Sequence, residues 1–508
     1  MSPNNMDSDL RSIQQARDLA VAAREAMRSF QFASQSQVDK ICEAMVEAAM
    51  REAGRLGQMA HDETGFGYPA HKQIKNEFAA QGVWDSIKDV PTCGVLRRDD
   101  SLGIVEIGWP VGVLCALTPS TNPTSTAIFK VLIGVKARNA IVVAPHPSAK
   151  KCTAEAVRVM AEAGEAAGMP KGLVSCMTEL SIEGTNELMN HFATSMILAT
   201  GGPGMVKAAH SVGKPALGVG PGNVPAYVDR SAHIVKAAQM LVESKSFDCS
   251  TICATEQAVI ADRPIADRLK SEMQERGAQW LSREEADKLA SSMFRPNGMM
   301  YAEYVGRTPQ ELGRMAGISV PDSTRILVAE LDGVGPKYPL SREKLTTVLG
   351  WMVEDGWKAG CDRAIQLLKF GGDGHSMVIH SRDEESVMQF GIEKPAFRIL
   401  VNTWGCLGGV GATTGLRPSM TLAPGGIGGA VVSDNITVEH VLNVKRLAYH
   451  LRPAPDIARA HGGRLEGMSP AVSDNDDDSG TSKAPASSDP DAALIEKLVR
   501  QILNEMQK

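Results

Sequence analysis

The sequence lacks the features that mark nucleic-acid-binding, membrane-spanning and secreted proteins. Its 53 lysines and arginines are outnumbered by 59 aspartates and glutamates, giving a net charge of -6, and no basic block runs along the chain. No apolar run approaches the roughly 20 residues that cross a bilayer, and the first residues have no basic-then-apolar signal pattern. We therefore expect neither nucleic acid nor membranes as partners, and a cytoplasmic location.

Cysteines are too few and too scattered for a disulfide framework. Nine of them are spread from Cys42 to Cys406 in 508 residues, an odd number whose reduced thiols fit a cytosolic compartment. Hydrophobic residues make up 43% of the chain and charged residues 22%, which is ordinary for a globular protein of two or three domains. The chain can bury a sizeable core, and we predict no metal site.

Three segments of different texture precede Leu451. Apolar residues recur at three- and four-residue spacing from Asp9 to about Lys88, which predicts helices. Short β-branched runs alternate with helical segments between Gly103 and Asn223, and a second alternation runs from Ile234 to about Asn402. Strands separated by helices predict parallel sheets, so the fold class is α/β with two such domains.

The composition changes after Leu451. Residues 453–490 are rich in proline, serine, aspartate and glycine, a composition that cannot bury enough apolar surface to fold, and we predict a disordered linker there. Residues 491–508 are predicted to form an amphipathic helix. Its apolar stripe consists of Leu494, Ile495, Leu498, Val499, Ile502, Leu503 and Met506. This helix either folds back or self-associates in an oligomer, or it docks in a groove of another protein.

A cysteine in a polar loop is a candidate nucleophile. Cys253 lies in the segment Phe247–Gln257, directly before a β-rich run; loops at strand edges are where folds place reactive thiols, although most cysteines are small buried hydrophobes. Asn122 follows a predicted strand that ends at Leu117. Its amide either forms a turn before Pro123 or, with the Cys253 backbone N–H, donates to the oxygen of a tetrahedral adduct. Aldehyde oxidation through a thioester requires such a pair.

A bound nicotinamide, the next requirement, has a candidate site in Ile197–Lys207. This segment is typical of a strand, a glycine-rich turn and a helix, the geometry that brings backbone amides to a pyrophosphate. It is not a GxGxxG motif, and many strand-to-helix turns carry glycine for steric reasons only. Taken alone, the turn leaves both interpretations open.

Several motifs together resemble those of the CoA-acylating aldehyde dehydrogenases. They are Asn122–Lys130, Arg138–Ile141 with Pro145–Pro147, Ala199–Ala209 and Phe247–Cys253. The resemblance covers about residues 9–450 and is greatest to the aldehyde dehydrogenase half of bifunctional aldehyde-alcohol dehydrogenases and to their stand-alone relatives. It implies the aldehyde dehydrogenase fold, with a Rossmann-like cofactor domain, an α/β catalytic domain and a β-arm for oligomerisation.

The resemblance also implies domain boundaries and residue roles. The cofactor domain would span residues 1–235, including an arm segment at 93–109, the catalytic domain 236–432, and a C-terminal oligomerisation segment 433–452. Cys253 matches the nucleophile and Asn122 the oxyanion donor. Contacts to NAD, or to NADP, are implied at Thr118, Pro119, His146, Thr200, Gly201, Gly202, Met205, Gly220 and Glu343. A homodimer or homotetramer is expected.

One absence predicts the acyl acceptor. Hydrolytic relatives carry a glutamate, within Glu-Leu-Gly-Gly, that activates water, whereas the matching stretch 218–223 holds no carboxylate. Water then lacks its general base, while the acidic thiol of coenzyme A needs less help. Glu256, three residues past Cys253, is a candidate substitute base. We predict acyl transfer to CoA; the alternatives are a hydrolytic semialdehyde dehydrogenase, an acyl-phosphate reductase of the same fold and an inactive scaffold.

The predicted linker and terminal helix are similar to the encapsulation peptides that direct enzymes into bacterial microcompartments. This likeness implies shell or core proteins as partners, a location in the microcompartment lumen, and a short aldehyde such as acetaldehyde or propanal as substrate.

Two further residues keep two interpretations each. His375 matches a motif histidine of the family and is either structural or catalytic. Cys249 departs from the family pattern by placing a second thiol four residues before Cys253. It is either a benign replacement or one half of a reversible disulfide that protects the site.

Overall fold

A computed structural model describes residues 7–452 and residue 460. The docking helix predicted for residues 491–508, and all of the linker predicted for 453–490 except residue 460, lie outside the described residues. The α-helices are α1 (Ser8–Phe30), α2 (Gln35–Thr64), α3 (Pro69–Glu77), α4 (Val83–Ile87), α5 (Pro123–Lys136), α6 (Lys150–Ala166), α7 (Ile182–Asn190), α8 (Pro203–Ser211), α9 (Ile234–Ser246), α10 (Ala266–Glu275), α11 (Arg283–Met293), α12 (Pro309–Ala316), α13 (Gly356–Lys369), α14 (Glu384–Glu393) and α15 (Gly405–Gly409). The β-strands are β1 (Gly94–Asp99), β2 (Ile104–Pro110), β3 (Val113–Leu117), β4 (Ala140–Ala144), β5 (Val174–Cys176), β6 (Thr194–Thr200), β7 (Ala216–Val219), β8 (Val224–Val228), β9 (Glu256–Asp262), β10 (Ala278–Trp280), β11 (Ile326–Glu330), β12 (Val348–Glu354), β13 (Met377–His380), β14 (Ile399–Val401) and β15 (Leu442–Ala448).

The described residues divide into two units. The first comprises the described residues up to Gly94 together with Gly108–Val444, and it begins with the predicted helical layer, α1 to α4. The longest helix, α2, starts at a capping box formed by Ser34 and Gln37 and ends at Gly65, whose φ of 69° suits a residue without a side chain. Helix α2 packs against α3, α5 and α6, which ties the helical layer to the first sheet.

The first sheet has five parallel strands in the order β5-β4-β3-β6-β7. Strands β3 and β4 are buried along their whole length, as expected for a parallel sheet covered on both faces. The order reverses between β3 and β6, because the chain first proceeds outward from β3 to β5 and then returns to β6. In open sheets of this kind, ligands bind in the crevice outside the carboxyl ends of the strands at that reversal. The loops after β3 and β6 therefore border the expected cofactor site.

The second sheet has seven parallel strands in the order β10-β11-β12-β9-β8-β13-β14. Strand β8, Val224–Val228, pairs with β9 and β13 in this sheet. The chain therefore changes sheets between Val219 and Val224, and the domain boundary at residue 235 stays a prediction. Strand β9, which directly follows the candidate nucleophile loop, is buried at every residue and sits in the interior of the sheet.

The second unit comprises Val95–Ile107 and the described residues from Lys445 onward. Strands β1, β2 and β15 form a three-stranded sheet, so the two segments predicted to build an arm do pair with each other. Leu447, Tyr449 and Leu451 are each about half exposed. The role of this sheet in oligomerisation stays a prediction.

Between residues 7 and 452, the structure contains no helix with both the length and the apolar character needed to cross a membrane.

Candidate active site

A cavity of about 300 Å³ lies where the loops after β3 and β6 meet the loop before β9. Ten of the residues predicted from sequence line it, namely Pro119, Asn122, His146, Thr200, Gly201, Gly202, Met205, Gly220, Cys253 and Glu343. Thr118 does not line it, because this residue is fully buried at the end of β3, where its N–H donates to the carbonyl of Ala144 at 3.2 Å. A larger hollow of about 770 Å³ beside α11 holds none of the predicted residues. The smaller cavity is the candidate active site.

Cys253 lies in the short connection between α9 and β9 and is partly exposed at the cavity wall. Burial, with a smaller contribution from the carboxylate of Glu343, raises the pKa of Cys253 to about 12. Arg398 and the backbone N–H groups of Cys253 and Ala254 act in the opposite direction. In the described state the group is therefore a thiol, and it already faces donors that favour the thiolate.

Asn122 immediately precedes α5, and its side chain makes no capping hydrogen bond to that helix. Its Oδ1 accepts a hydrogen bond from Nζ of Lys75 at 2.6 Å, while Nδ2 donates to the carbonyl of Thr251 at 3.0 Å and to Oγ1 of Thr121 at 3.1 Å. An ammonium group can only donate. The amide oxygen therefore faces Lys75, and the NH₂ group faces the nucleophile loop.

The turn before Cys253 has a strained backbone. Asp248, Cys249 and Ser250 have φ values of 46°, 50° and 65°, so three consecutive residues with side chains occupy the left-handed region. Each such residue costs of order 1–3 kcal/mol and persists only where the surrounding structure holds it. Strain of this kind is concentrated at functional sites.

A buried carboxylate holds this turn in place. Asp248 is fully buried and accepts hydrogen bonds from Nζ of Lys72 at 3.1 Å, from Nζ of Lys75, from Oγ1 of Thr251 at 2.7 Å and from the backbone N–H of Tyr68 at 2.8 Å. Both lysines come from α3 and are also buried. The sequence patterns did not identify the contacts of Asp248 with Lys72 and Lys75, none of which lines the cavity.

The glycine-rich turn after β6 faces the cavity as predicted. Helix α8 begins at Pro203, and the residue before it, Gly202, provides no side-chain cap. A Cβ added at Gly202 would meet no atom within 4 Å, so the space in front of the helix N-terminus is open. Backbone amides at such a terminus suit a pyrophosphate, and the residues present therefore fit a dinucleotide.

The loop between β7 and β8 passes close to the nucleophile. A Cβ on Gly222 would lie 2.4 Å from the carbonyl oxygen of Cys253, whereas one on Gly220 would meet nothing within 4 Å. The N–H of Gly222 donates to Oε1 of Glu343 at 2.8 Å. Burial raises the pKa of Glu343 to about 7. Glu343 is the single carboxylate among the described residues that line the cavity.

Three other residues considered from the sequence do not line this cavity. Glu256 is buried in the core, where it accepts from Oγ of Ser244 at 2.5 Å and from the N–H of Gly405 at 2.6 Å. Burial, aided by Arg398, lowers the pKa of His375 to about 3, which keeps this imidazole neutral. Cys249 is buried as a free thiol.

Sequence comparison identifies the relatives of this chain. Residues 8–292 match the sequence profile of the Aldehyde dehydrogenase family. Aldehyde-alcohol dehydrogenase 2 of Entamoeba histolytica is 42% identical over 424 residues, which cover 82% of this chain and 49% of that protein. The chain thus spans about half the length of the curated relatives of this kind that it matches.

Solved structures give the same relationship over nearly their full length. An acetylating aldehyde dehydrogenase from Geobacillus thermoglucosidasius is 51% identical, with a TM-score of 0.87 over 88% of this chain and 99% of that one. A propionaldehyde dehydrogenase from Rhodopseudomonas palustris, solved with bound CoA and an acylated cysteine, is 27% identical, with a TM-score of 0.77 over 85% of this chain and 97% of that one. These matches confirm the predicted fold. The chain belongs to the aldehyde dehydrogenase family and is similar to its acylating members.

Proposed function

We propose that this chain converts an aldehyde, coenzyme A and NAD to an acyl-CoA and NADH, and that it runs in reverse when acyl-CoA is abundant. The observation that carries the proposal is the meeting of Cys253 and Asn122 in one cavity, beside a loop at 218–223 that holds no carboxylate. An inactive scaffold would have no physical need for this combination.

The cavity residues can carry out each covalent step. The thiol of Cys253 releases its proton to solvent, and the thiolate sulfur bonds to the aldehyde carbon. The negative charge then moves to the oxygen. The N–H of Cys253 donates to it, and so does one N–H of the Asn122 amide, which first leaves its present acceptor, Thr121 or Thr251. A nicotinamide held by Glu343 and the turn at Gly201 and Gly202 would supply the hydride acceptor, and the positive charge of its ring would favour the thiolate of Cys253. The acyl thioester on Cys253 is then attacked by the CoA thiolate, and the bond to Cys253 breaks as acyl-CoA leaves.

The contacts of Glu343 and Glu256 leave water without a general base, which favours CoA as the acyl acceptor. Glu343 is engaged by the N–H of Gly222, and we propose that it holds the nicotinamide ribose. Glu256 is fixed by Ser244 and Gly405 in the core. With Glu256 held in the core and Glu343 committed to the ribose, hydrolysis lacks a general base, whereas the CoA thiol ionises more easily without one.

The lining of the cavity favours NAD over NADP. No lysine or arginine is present among the described residues that line it. His146 lies at the position implied for the adenosine ribose, and burial lowers its pKa, so this imidazole is neutral at pH 7. Among the described residues that line the cavity, a 2′-phosphate would meet no lysine or arginine.

The first test is the dependence of turnover on CoA. With acetaldehyde or propanal as substrate, we expect omission of CoA to lower the rate of NADH formation at least about 100-fold, because general-base activation of water is worth about 10²–10⁴-fold. NADH absorbance and product analysis by mass spectrometry provide the measurement, with NADP run in parallel. Carboxylic acid formed without CoA would indicate the hydrolytic alternative, and turnover that depends on phosphate would indicate the acyl-phosphate reductase.

We also propose that residues 491–508 bind a shell or core protein of a bacterial microcompartment, and that the enzyme works in its lumen. The support is an apolar helical stripe that follows a segment whose composition is typical of a tether.

Deletion of residues 491–508 should leave turnover intact and abolish co-purification with shell proteins. Leu498→Asp on the apolar stripe should weaken the interaction, whereas Lys497→Gln on the polar face serves as the matched control and should not. Co-purification that survives the deletion would count against this location.

The second unit is the proposed oligomerisation element. Strand β15, which enters this unit at Lys445, is exposed over most of its length, and apolar side chains are exposed within it at Leu447 and after it at Tyr449 and Leu451. Apolar strand surface of this kind is characteristic of protein interfaces. We propose a homodimer or homotetramer built through these strands.

A further inference from the structure

Two buried lysines on α3 meet one buried carboxylate behind the active site. Nζ of Lys72 and Nζ of Lys75 both donate to Oδ2 of Asp248, and all three side chains are at most 3% exposed. The backbone N–H of Asp248 donates to Nδ1 of His71 at 2.8 Å, so that nitrogen carries no proton, and burial lowers the pKa of His71. The cluster therefore holds two positive charges and one negative charge.

The two lysines differ in what else they contact. Lys75 donates to Oδ1 of Asn122 at 2.6 Å and to Oγ1 of Thr251 at 3.2 Å. The second contact of Lys72 is to the carbonyl of Thr121 at 3.5 Å, and its ammonium group does not hydrogen-bond to the Asn122 side chain. Only Lys75 therefore links the excess positive charge to the amide proposed as the oxyanion donor.

We propose that Lys75 is a positioning residue, which fixes the orientation of the Asn122 amide and polarises it so that its NH₂ group donates more strongly to the oxygen of the reacting adduct. This inference rests on the proposed function, in which Asn122 is that donor. An ammonium on the amide oxygen draws electron density from the nitrogen, and hydrogen bonds in series strengthen one another. The ammonium group of Lys75 also disfavours the flipped orientation of the Asn122 amide, because the NH₂ group would then face the ammonium.

The site supports this role because Lys75 keeps its charge at neutral pH. Burial lowers the pKa of Lys75 to about 8, although the carboxylate of Asp248 acts to raise it. The ammonium form is thus the main form at pH 7. Low exposure also leaves little solvent to screen the interaction with Asn122.

The test compares Lys75→Met, its neighbour control Lys72→Met, Asn122→Ala and the double variant Lys75→Met/Asn122→Ala. We expect the single-turnover rate of NADH formation to fall about 100-fold in Asn122→Ala, as for loss of one oxyanion donor. Lys75→Met should lose about 10-fold in this rate while KM for aldehyde and NAD stays within about twofold. Lys72→Met, which also loses a contact to Asp248, should stay within about threefold.

The double variant separates action through Asn122 from a general structural effect. If Lys75 acts through the amide, Lys75→Met should cost less than about twofold in the Asn122→Ala background. A tenfold loss in that background, or equal losses in Lys72→Met and Lys75→Met, would overturn the inference. If Lys75→Met does not fold, Lys75→Gln, which removes the charge but keeps a donor, is put through the same cycle with the same criteria.

The outcomes also distinguish this inference from the function on which it rests. A wild-type rate in Asn122→Ala would remove the proposed oxyanion donor and the inference with it. A loss in Asn122→Ala together with an unchanged rate in Lys75→Met would overturn the inference alone.

Discussion

Replacement of Cys253 by alanine is expected to lower the rate of NADH formation by at least about 10⁴-fold, as for removal of a nucleophile in other covalent enzymes. In the proposed mechanism this sulfur forms the thioester, and no other thiol lines the cavity among the described residues. Intact-mass spectrometry after incubation with acyl-CoA should show an acyl adduct on the wild type and none on the variant. Affinity for NAD, measured by calorimetry, should change less than about threefold, because the proposed cofactor contacts remain.

Cys249→Ala is the matched control for this experiment. Burial raises the pKa of Cys249 to about 12 and keeps this residue away from the cavity lining, so its removal should leave acylation and turnover within about threefold of wild type. An adduct on Cys253→Ala, or equal losses in the two variants, would contradict the assignment of Cys253. Comparison of wild type and Cys249→Ala with and without a mild oxidant also tests the disulfide hypothesis, since only a protective disulfide would make their responses differ.

Asp248→Asn is expected to lower the free energy of unfolding by about 3–5 kcal/mol, because it leaves the buried ammonium groups of Lys72 and Lys75 without a carboxylate. Urea denaturation monitored by tryptophan fluorescence gives the measurement. Asp355→Asn is the control, since Asp355 is 70% exposed in its ion pair with Arg230, and exposed pairs are worth about 0–1 kcal/mol. Equal effects of the two substitutions would show that the buried cluster contributes no more to the free energy of unfolding than an exposed ion pair does.

The same cluster gives a pH dependence of stability with a defined sign. Burial alone would raise the pKa of Asp248, but Lys75 and Lys72 outweigh it, and the folded-state pKa is lowered. The stabilising contribution is therefore present above the unfolded-state pKa of about 4 and is lost as pH falls through the folded-state value. Below about pH 4, wild type should lose stability more steeply than Asp248→Asn, and parallel curves would contradict this explanation.

The sequence was sufficient to predict those parts of the site in which a short local pattern defines both a secondary-structure element and its place in the fold. The segment from β3 to α5 placed Asn122 at a strand end, and the turn from β6 to α8 placed Gly201 and Gly202 at a helix start. Strand order then brings both loops to one crevice, because parallel strands joined by crossovers meet at a reversal of that order.

The sequence did not predict contacts and strand pairings between residues that are far apart along the chain. Lys75 and Asp248 are 173 residues apart, and a carboxylate in a polar loop gives no sign that it is buried. The only local signal was two lysines three residues apart on α3, which is also typical of a solvated helix face. Strand β8 was not predicted, and its neighbours, β9 and β13, are set by long-range pairing.

The two glycines of the β7–β8 loop, Gly220 and Gly222, differ in the space around them, and this difference decides where a mutation can introduce a new catalytic side chain. A side chain at Gly222 would collide with the main chain of the thiol-bearing loop, whereas Gly220 faces free space. Substitution of Gly220 by an acidic residue can therefore introduce a water-activating group without displacing neighbouring residues. Substitution of Gly222 cannot. The preference for CoA over water as the acyl acceptor would then depend on the absence of a side chain at Gly220, which evolution or protein design can change.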